Sequence, residues 1–598
     1  MNAANEHPAT GSKGRWAALI AGVAAAGAAI VWCSPRQAEA VVRHGGYWVL
    51  LAVFAAFAVY WARVATAWAR SARKPRRLLL EVALAAAIGG AMVLLHGMFR
   101  EKIAMDDYLL RATAKSLHEE REVAAVSFGR MRGNVFTPSE TFVDKRPWLY
   151  PFLVATAHDF TGERRANAFA VNAAACVLFV GGAYVAGRWL AGRPGGWLSV
   201  GLWATLPLLT QNATGAGMAM VNLLMLQTVL LLAIHYARSP KADREAALVW
   251  AAVLLAYSRY ESGVFLLPVG ALLAWGWWRR GCLRPAWATV LAAPALIPVL
   301  LQTKIYSATQ RFWELSDDAS APFGSEHLTA NVPHALHFFF DPSHTLPNSL
   351  WIAVLGFPAL LFFPFLFQKM DERLGGRRAA HGVFAVFLFF FLVHAAVILS
   401  FHASRLDQLY VSRYALPLHL PLVLAATAVL GAWARRGHGR AIWTGALTTT
   451  AAFFLAFTIP AKAKAIYTQR NHLVREELWL DALSENRLER RSMVIDRFTV
   501  PWGLRAWASL PPDVAALHAV RLRRERAAGE YTALYLVERS TLGPTGFEAD
   551  VPAVKRLREA FATTVVAKRS FRPLERTRVH RLDAPVKPLD SLRGKNAQ

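Results

Sequence analysis

The sequence predicts a mainly α-helical membrane protein of about thirteen spans, closed by a small α/β domain. Three observations lead there. Apolar runs of helix length recur from Trp16 almost to Pro460. Clusters of Arg and Lys follow alternate runs. After Ile459 the long apolar runs stop and short strand-like patterns begin. Across 598 residues, 55% are hydrophobic and 18% charged, and the mean hydropathy is +0.28, which is a membrane composition. A net charge of +27 raises the question of nucleic acid. Such binding needs one continuous solvated basic face, whereas here much of the excess lies in short clusters between apolar runs, where positive-inside topology accounts for it. No nucleic-acid partner is expected. Cys33, Cys176 and Cys282 form neither a disulfide framework nor a metal-ligand spacing.

Lys13 and Arg15 precede the first run, Trp16 to Trp32. Ala38-Glu39-Ala40 resembles a signal-peptidase site, so a cleaved leader competes with a retained anchor; the length of the run favours the anchor. Tyr47 to Val64 returns the chain to Arg70, Arg73, Lys74, Arg76 and Arg77, the densest basic cluster of the membrane half and hence its cytoplasmic marker. Leu78 to Phe99 then crosses outward. Trp148 to Phe160 is too short to span and is expected as an interfacial helix. Ala166 to Leu190 leads in, Trp197 to Leu209 out, Met218 to Tyr236 in, Ala246 to Tyr257 out and Val264 to Trp278 in. Ala286 to Leu301 leads out, Leu350 to Phe367 in, His381 to Phe401 out, Leu416 to Ala434 in and Ala441 to Ile459 out. The N-terminus is therefore expected in the cytoplasm and the C-terminal domain outside, in a bacterial-type plasma membrane.

Three regions follow from this path. Residues 1–66 supply extra N-terminal membrane segments, residues 67–460 a catalytic membrane domain with outer loops 100–165 and 302–348, and residues 461–598 an outer α/β domain with a basic tail. In the last, Ser492 to Ile495, Tyr531 to Val537 and Thr563 to Val566 read as strands and Pro552 to Ala562 as a helix. Its Arg521, Arg523, Arg524 and Arg526 fit either an anionic surface or a solvated helix face. Asn212-Ala213-Thr214 matches a glycosylation acceptor but lies in a turn too close to the bilayer to carry weight.

The chemistry concentrates in the first outer loop. Ala-Met-Asp106-Asp107-Tyr108-Leu-Leu-Arg111 places two adjacent carboxylates at a membrane rim, and Asp144-Lys145-Arg146-Pro147-Trp148-Leu-Tyr150-Pro151 closes the loop with bases and interface anchors. Neighbouring side chains on a helix diverge by about 100°, so one carboxylate faces a substrate while the other is free to cap the helix. Magnesium or manganese takes oxygen ligands, so a divalent cation remains possible here. In the loop Gln302 to Asn348, Trp313, Asp317, Asp318, His327, His334, His337 and His344 match no closed zinc pattern and suit a lid that excludes water or a partly disordered loop.

Asp106-Asp107-Tyr108-Leu-Leu-Arg111-Ala, followed by Lys145-Arg146-Pro147-Trp148-Leu-Tyr150-Pro151, resembles the first-loop signature of GT-C fold glycosyltransferases, the protein mannosyltransferases and the aminoarabinose and arabinofuranosyl transferases. Ser258-Arg259-Tyr260-Glu261 and Val411-Ser412-Arg413-Tyr414-Ala-Leu-Pro417 extend the resemblance, which covers Leu78 to about Ile459. It implies a polyprenyl-phosphate sugar donor lying in membrane lipid and an extracytoplasmic acceptor. Asp106 would be the general base, with Asp107 beside it. Arg259, Lys304, Arg405 and Arg413 would be cations for the departing phosphate, because Arg and Lys stabilise charge developing on oxygen. Lys145, Arg146, Tyr108 and Glu261 would be acceptor or loop contacts. Each cation has a plainer reading as well: an ion pair of Arg259 with Glu261, headgroup contact for Arg405 and Arg413, and an interfacial anchor for Lys304. A transporter or a lipid-linked glycan flippase is the alternative; it calls for ionisable or broken-helix features near mid-membrane, whereas the charges singled out here sit at helix ends.

Overall fold

The structure, a computed structural model, describes residues 10–71, 74–133, 135–281, 283–307, 321–369, 378–436, 439–463, 471–543, 546–549 and 551–583. Arg73, Cys282, Trp313, Asp317, Asp318, Arg373, Arg377 and the tail 585–598 lie outside these residues. The chain divides into two compact units. One comprises Met1–Lys102, Glu120–Val123 and Lys145–Thr468; the other comprises Ile103–Glu119, Ala124–Asp144 and Gln469–Gln598. The expected boundaries differ, since they assigned all of loop 100–165 to the membrane domain, and most of that loop folds with the C-terminal residues.

In the first unit, eight helices among the described residues are long and apolar enough to cross a membrane: Lys13–Trp32, Pro35–Ser71, Pro75–Leu94, Arg165–Ala191, Ala219–Arg238, Trp287–Ile305, Ala379–Leu399 and Gly439–Ala463. This is a multi-pass membrane protein. The five remaining apolar runs are helical as well: Arg193–Ala204, Ala242–Ala256, Leu266–Arg279, Leu350–Lys369 and His419–Arg436. The first three hold 12, 15 and 14 residues, and at 1.5 Å per residue a helix of about 15 residues reaches only about 22 Å, short of the hydrocarbon thickness. Ala242–Ala256 is buried continuously from Glu245 onward, as expected of a helix that is apolar all round and packs inside protein.

Local sequence explains how these helices turn. Arg165–Ala191 ends at Gly192, whose φ of +83° favours glycine, and Pro194 starts the next helix. A Cβ on Gly187 would collide with the backbone of Gly195, so the two helices approach closely only because both residues are glycine. The buried Glu245 carboxylate accepts the Ala286 N–H at 2.7 Å, Thr289 Oγ1 at 2.8 Å and Trp277 Nε1 at 3.1 Å, and pairs with Arg280 at 3.0 Å. That set satisfies its charge and ties three helices together at one end.

The segment expected at the interface forms Leu149–Thr161, a 13-residue helix. One face is buried in protein, with Trp148 against Tyr257 at 5.1 Å and Tyr150 Oη donating to Ala168 O at 2.9 Å. Helix Thr10–Trp32 is also integrated, since Trp16 Nε1 donates to Leu283 O at 2.9 Å and Arg15 Nη1 to Pro285 O at 3.2 Å. Ala38–Ala40 lies in the helix Pro35–Ala40, which continues into the next span. Asn212 and Thr214 are buried, leaving no accessible glycosylation acceptor.

The second unit contains a hairpin, β1 (Ala125–Arg132) and β2 (Val135–Phe142), and a six-stranded sheet. That sheet comprises β3 (Met493–Ile495), β4 (Ala508–Leu510), β5 (Leu534–Gly543), β6 (Gly546–Ala549), β7 (Ala562–Arg572) and β8 (Glu575–Asp583). The order is β4-β3-β5-β8-β7 with β6 on β5; β3 runs parallel to β4 and β5, and β8 antiparallel to β5 and β7. The expected strands at 492–495, 531–537 and 563–566 correspond to β3, β5 and β7. The expected helix is Pro552–Ala560. Leu534, Leu536, Met493, Ile495 and Leu582 fill one core, and Phe128 and Met131 of β1 pack against it.

Candidate functional site

The acid pair opens the helix Met105–Glu119. Ala104, with φ of +45°, turns the chain into the helix, and its carbonyl accepts the Tyr108 N–H at 3.1 Å. Alanine cannot cap with its side chain. Asp107, the third helical residue, instead turns Oδ2 back onto the Ile103 N–H at 3.1 Å, one residue before the N-cap, and so fixes the chain entering the helix. Asp107 is fully buried, whereas Asp106 is only partly so. The two carboxylates therefore have different environments, and Asp107 holds the entry to the helix. Arg111 lies 5.8 Å from the Tyr108 ring centroid. Tyr108 packs with Ala112, Ala125 and Val500, and with the half-buried Leu109, Phe142 and Leu504.

The first unit gathers a second group. The turn after Ala242–Ala256 is held by Asn222, whose Oδ1 accepts Ser258 Oγ and Ser262 Oγ, each at 2.7 Å. Between those serines, buried Arg259 pairs with Glu261, so the ion pair expected of it is formed. Its guanidinium also lies 4.9 Å from the Tyr414 ring centroid, and that of Arg413 lies 5.2 Å from the same ring. Two guanidinium groups thus converge on one aromatic side chain. Tyr260 is in electrostatic reach of Tyr414, Glu261, Arg259 and Arg146, and Gln302 Nε2 fastens Arg146 O at 3.0 Å. Of the residues singled out from sequence, Arg146, Arg259, Glu261 and Arg413 fall together.

The other two cations lie elsewhere in this unit. Lys304 Nζ donates to Ile30 O at 2.5 Å and Val31 O at 3.0 Å, the last-turn carbonyls of the first helix, where a cation is favoured. Arg405 is exposed, in a turn closed by Gln408 N donating to Arg405 O at 3.0 Å. Lys145 belongs to this unit too, as the first residue after the hairpin segment.

Beside Arg405, Asp407 Oδ2 receives Nδ1 of His334 at 2.8 Å and of His337 at 3.2 Å, two residues spaced i, i+3 on the helix Ser325–Phe340. Burial would raise the Asp407 carboxyl, but the bonds from His334 and His337 outweigh it and hold the pKa below the usual carboxylate range. Asn331 Nδ2 donates to Leu399 O at 3.0 Å and Phe401 O at 2.9 Å. The described half of the expected lid is therefore stitched to segment 399–407. His spacing in the sequence hinted at a helix face; its carboxylate partner, some seventy residues away, was not visible there.

Among the described residues, no group of three or more His, Cys, Asp or Glu side chains is arranged to hold a metal ion.

A membrane unit of many helices joined to a small mixed-sheet unit defines the GT-C fold class. ArnT from Cupriavidus metallidurans bound to undecaprenyl phosphate superposes with a TM-score of 0.50 and 12% sequence identity, over 86% of this chain and 100% of that one. Its apo form matches with a TM-score of 0.42 and 13% identity over the same shares, and the Archaeoglobus fulgidus oligosaccharyltransferase complex with Zn and sulfate with 0.42 and 10%, over 78% of this chain and 72% of that one. The fold likeness rests on the first of these. No family model and no curated protein matches the sequence.

Proposed function

We propose that this chain is an integral membrane glycosyltransferase that moves a hexosyl or pentosyl group from a polyprenyl-phosphate donor to an extracytoplasmic lipid, glycan or protein. The observation that carries the reading is the convergence of Arg259 and Arg413 on Tyr414, in a fold shared with a protein solved with undecaprenyl phosphate. Paired guanidinium groups suit a phosphate, to which each can donate two hydrogen bonds. In the proposed step the acceptor oxygen or nitrogen forms a bond to the anomeric carbon, the bond from that carbon to the phosphate oxygen breaks, and the acceptor proton passes to Asp106. Arg259 and Arg413 stabilise the charge left on the phosphate, with Arg405 as a further cation, while Lys304 holds the end of the first helix. Such positioned proton transfer is typically worth about 10²–10⁴-fold. Asp106 acts in its ionised form, and its neighbour Asp107 keeps the helix start in place. The orientation that accompanies this reading has the N-terminus cytoplasmic and the sheet unit outside.

The test is mass spectrometry of lipid extracts from cells with and without the gene. Loss of a glycan together with accumulation of its polyprenyl-phosphate sugar is the expected result. Accumulation of an untranslocated lipid-linked glycan on the cytoplasmic leaflet would instead indicate the flippase alternative.

A further inference from the structure

We infer that Arg505 is a positioning residue for the helix that carries Asp106, and that the C-terminal sheet unit serves as that helix's scaffold; this rests on the reading of Asp106 as general base. Tyr108 follows Asp106 by two residues, about 200° around the helix. The face bearing Tyr108 is buried against Val500 and Leu504, the two ends of the short helix Val500–Leu504. Asp106 is thereby directed away from the packed face and stays partly accessible.

Beside this apolar packing and that of Trp502 in the core, polar contacts hold Val500–Leu504. Trp502 Nε1 donates to Asp496 Oδ2 at 2.8 Å, and the Arg505 guanidinium lies 4.8 Å from the Trp502 ring centroid. Arg505 pairs with Asp481 and, at 3.4 Å, with Glu477, both on the helix His472–Asn486. Arg539 of β5 then joins Glu476 at 2.8 Å to Asp496, so the chain of charges runs from the central strand to Arg505. Arg505 is also in electrostatic reach of Tyr108. A buried ionic network contributes little net stability compared with apolar packing but specifies one geometry, and a misplacement of about 1 Å at a reacting group costs about 100-fold in rate.

The experiment compares Arg505→Gln, Arg505→Lys and Asp481→Asn in the full-length, detergent-solubilised protein. It measures kcat and the donor KM, together with hydrogen exchange over residues 105–119 and over β5. Arg505→Gln is expected to lower kcat about 10–100-fold with donor KM within about twofold, and to speed exchange at the start of the acid helix while β5 stays protected. Arg505→Lys is expected to recover part of both. Wild-type kcat and acid-helix exchange in Arg505→Gln would overturn the inference, as would a fall in kcat with no change in that exchange. If Arg505→Gln also loses β5 protection, Asp481→Asn decides, and wild-type behaviour in that variant overturns the inference. Normal turnover by Asp106→Asn would withdraw the general-base reading; the exchange comparison judges the scaffold separately.

Discussion

Asp107 Oδ2 accepts the N–H of Ile103 at 3.1 Å, four residues back along the chain. Asp107 makes this bond from a fully buried position, whereas Asp106, adjacent and chemically alike in sequence, is only partly buried.

Replacing each acid should therefore give different outcomes. Asp106→Asn is expected to reduce turnover by about 10²–10⁴-fold, leaving expression and donor binding near wild type. Asp107→Ala removes the bond to the Ile103 N–H and is expected to destabilise the start of the acid helix by about 1–3 kcal/mol, read as faster hydrogen exchange over 105–110. A catalytically normal Asp106→Asn enzyme would remove the general-base assignment.

The guanidinium pair predicts a binding effect. Arg413→Ala should weaken donor affinity about 10–100-fold, the loss of one or two charge-assisted hydrogen bonds at about 1.5–3 kcal/mol. Arg259→Ala should cost at least as much, since it also leaves the Glu261 carboxylate without its ion-pair partner. Titration with a polyprenyl phosphate measures both, and an unchanged Arg413→Ala affinity would return that residue to headgroup contact.

Lys304 is expected to behave differently. Because its ammonium group sits on the Ile30 and Val31 carbonyls, Lys304→Met should speed exchange at the end of helix Thr10–Trp32 and alter donor affinity by less than about threefold. A tenfold loss of affinity would place Lys304 among the phosphate ligands instead.

The ionic network of the sheet unit predicts a pH effect. Burial pushes the Glu477 carboxyl up to about 7, against the pull of Arg505. With the folded pKa above the unfolded one, the folded state binds more protons between the two values, so this group's contribution to stability falls as pH rises from about 4.5 to 7. Glu477→Gln should lose that slope. Its urea midpoint for loss of β5 protection should change less than wild type's between pH 5 and 8, by an amount equivalent to at most about 3 kcal/mol. Parallel pH dependence in the two proteins would show that Glu477 does not titrate in this range.

Much of the membrane unit was legible from periodicity, since all thirteen apolar runs are helical. Hydropathy reports that a segment avoids water without saying whether lipid or protein covers it, so the burial of Ala242–Ala256 inside protein could not be read from it. The strands β4, β6 and β8 and the hairpin β1–β2 escaped notice. β8 is rich in charge, and its burial depends on partners on other elements: His580 Nε2 lies 2.9 Å from the buried Glu538, with Arg578 at 3.7 Å and Arg558 at 3.5 Å. Burial holds the Glu538 carboxyl back from ionising, but His580 and these arginines outweigh it and lower its pKa.

From its sequence alone this protein was determined to be a many-helix membrane chain with a small sheet unit and an acid pair at a helix start, because hydropathy and helix phase are local properties. Only the tertiary structure decided that Asp106 stays partly accessible while its helix packs on Val500, that Arg259 and Arg413 meet at Tyr414, and that the acid loop folds with the C-terminal residues. Those outcomes depend on contacts between segments separated by tens to hundreds of residues, and no local pattern encodes which charges will meet.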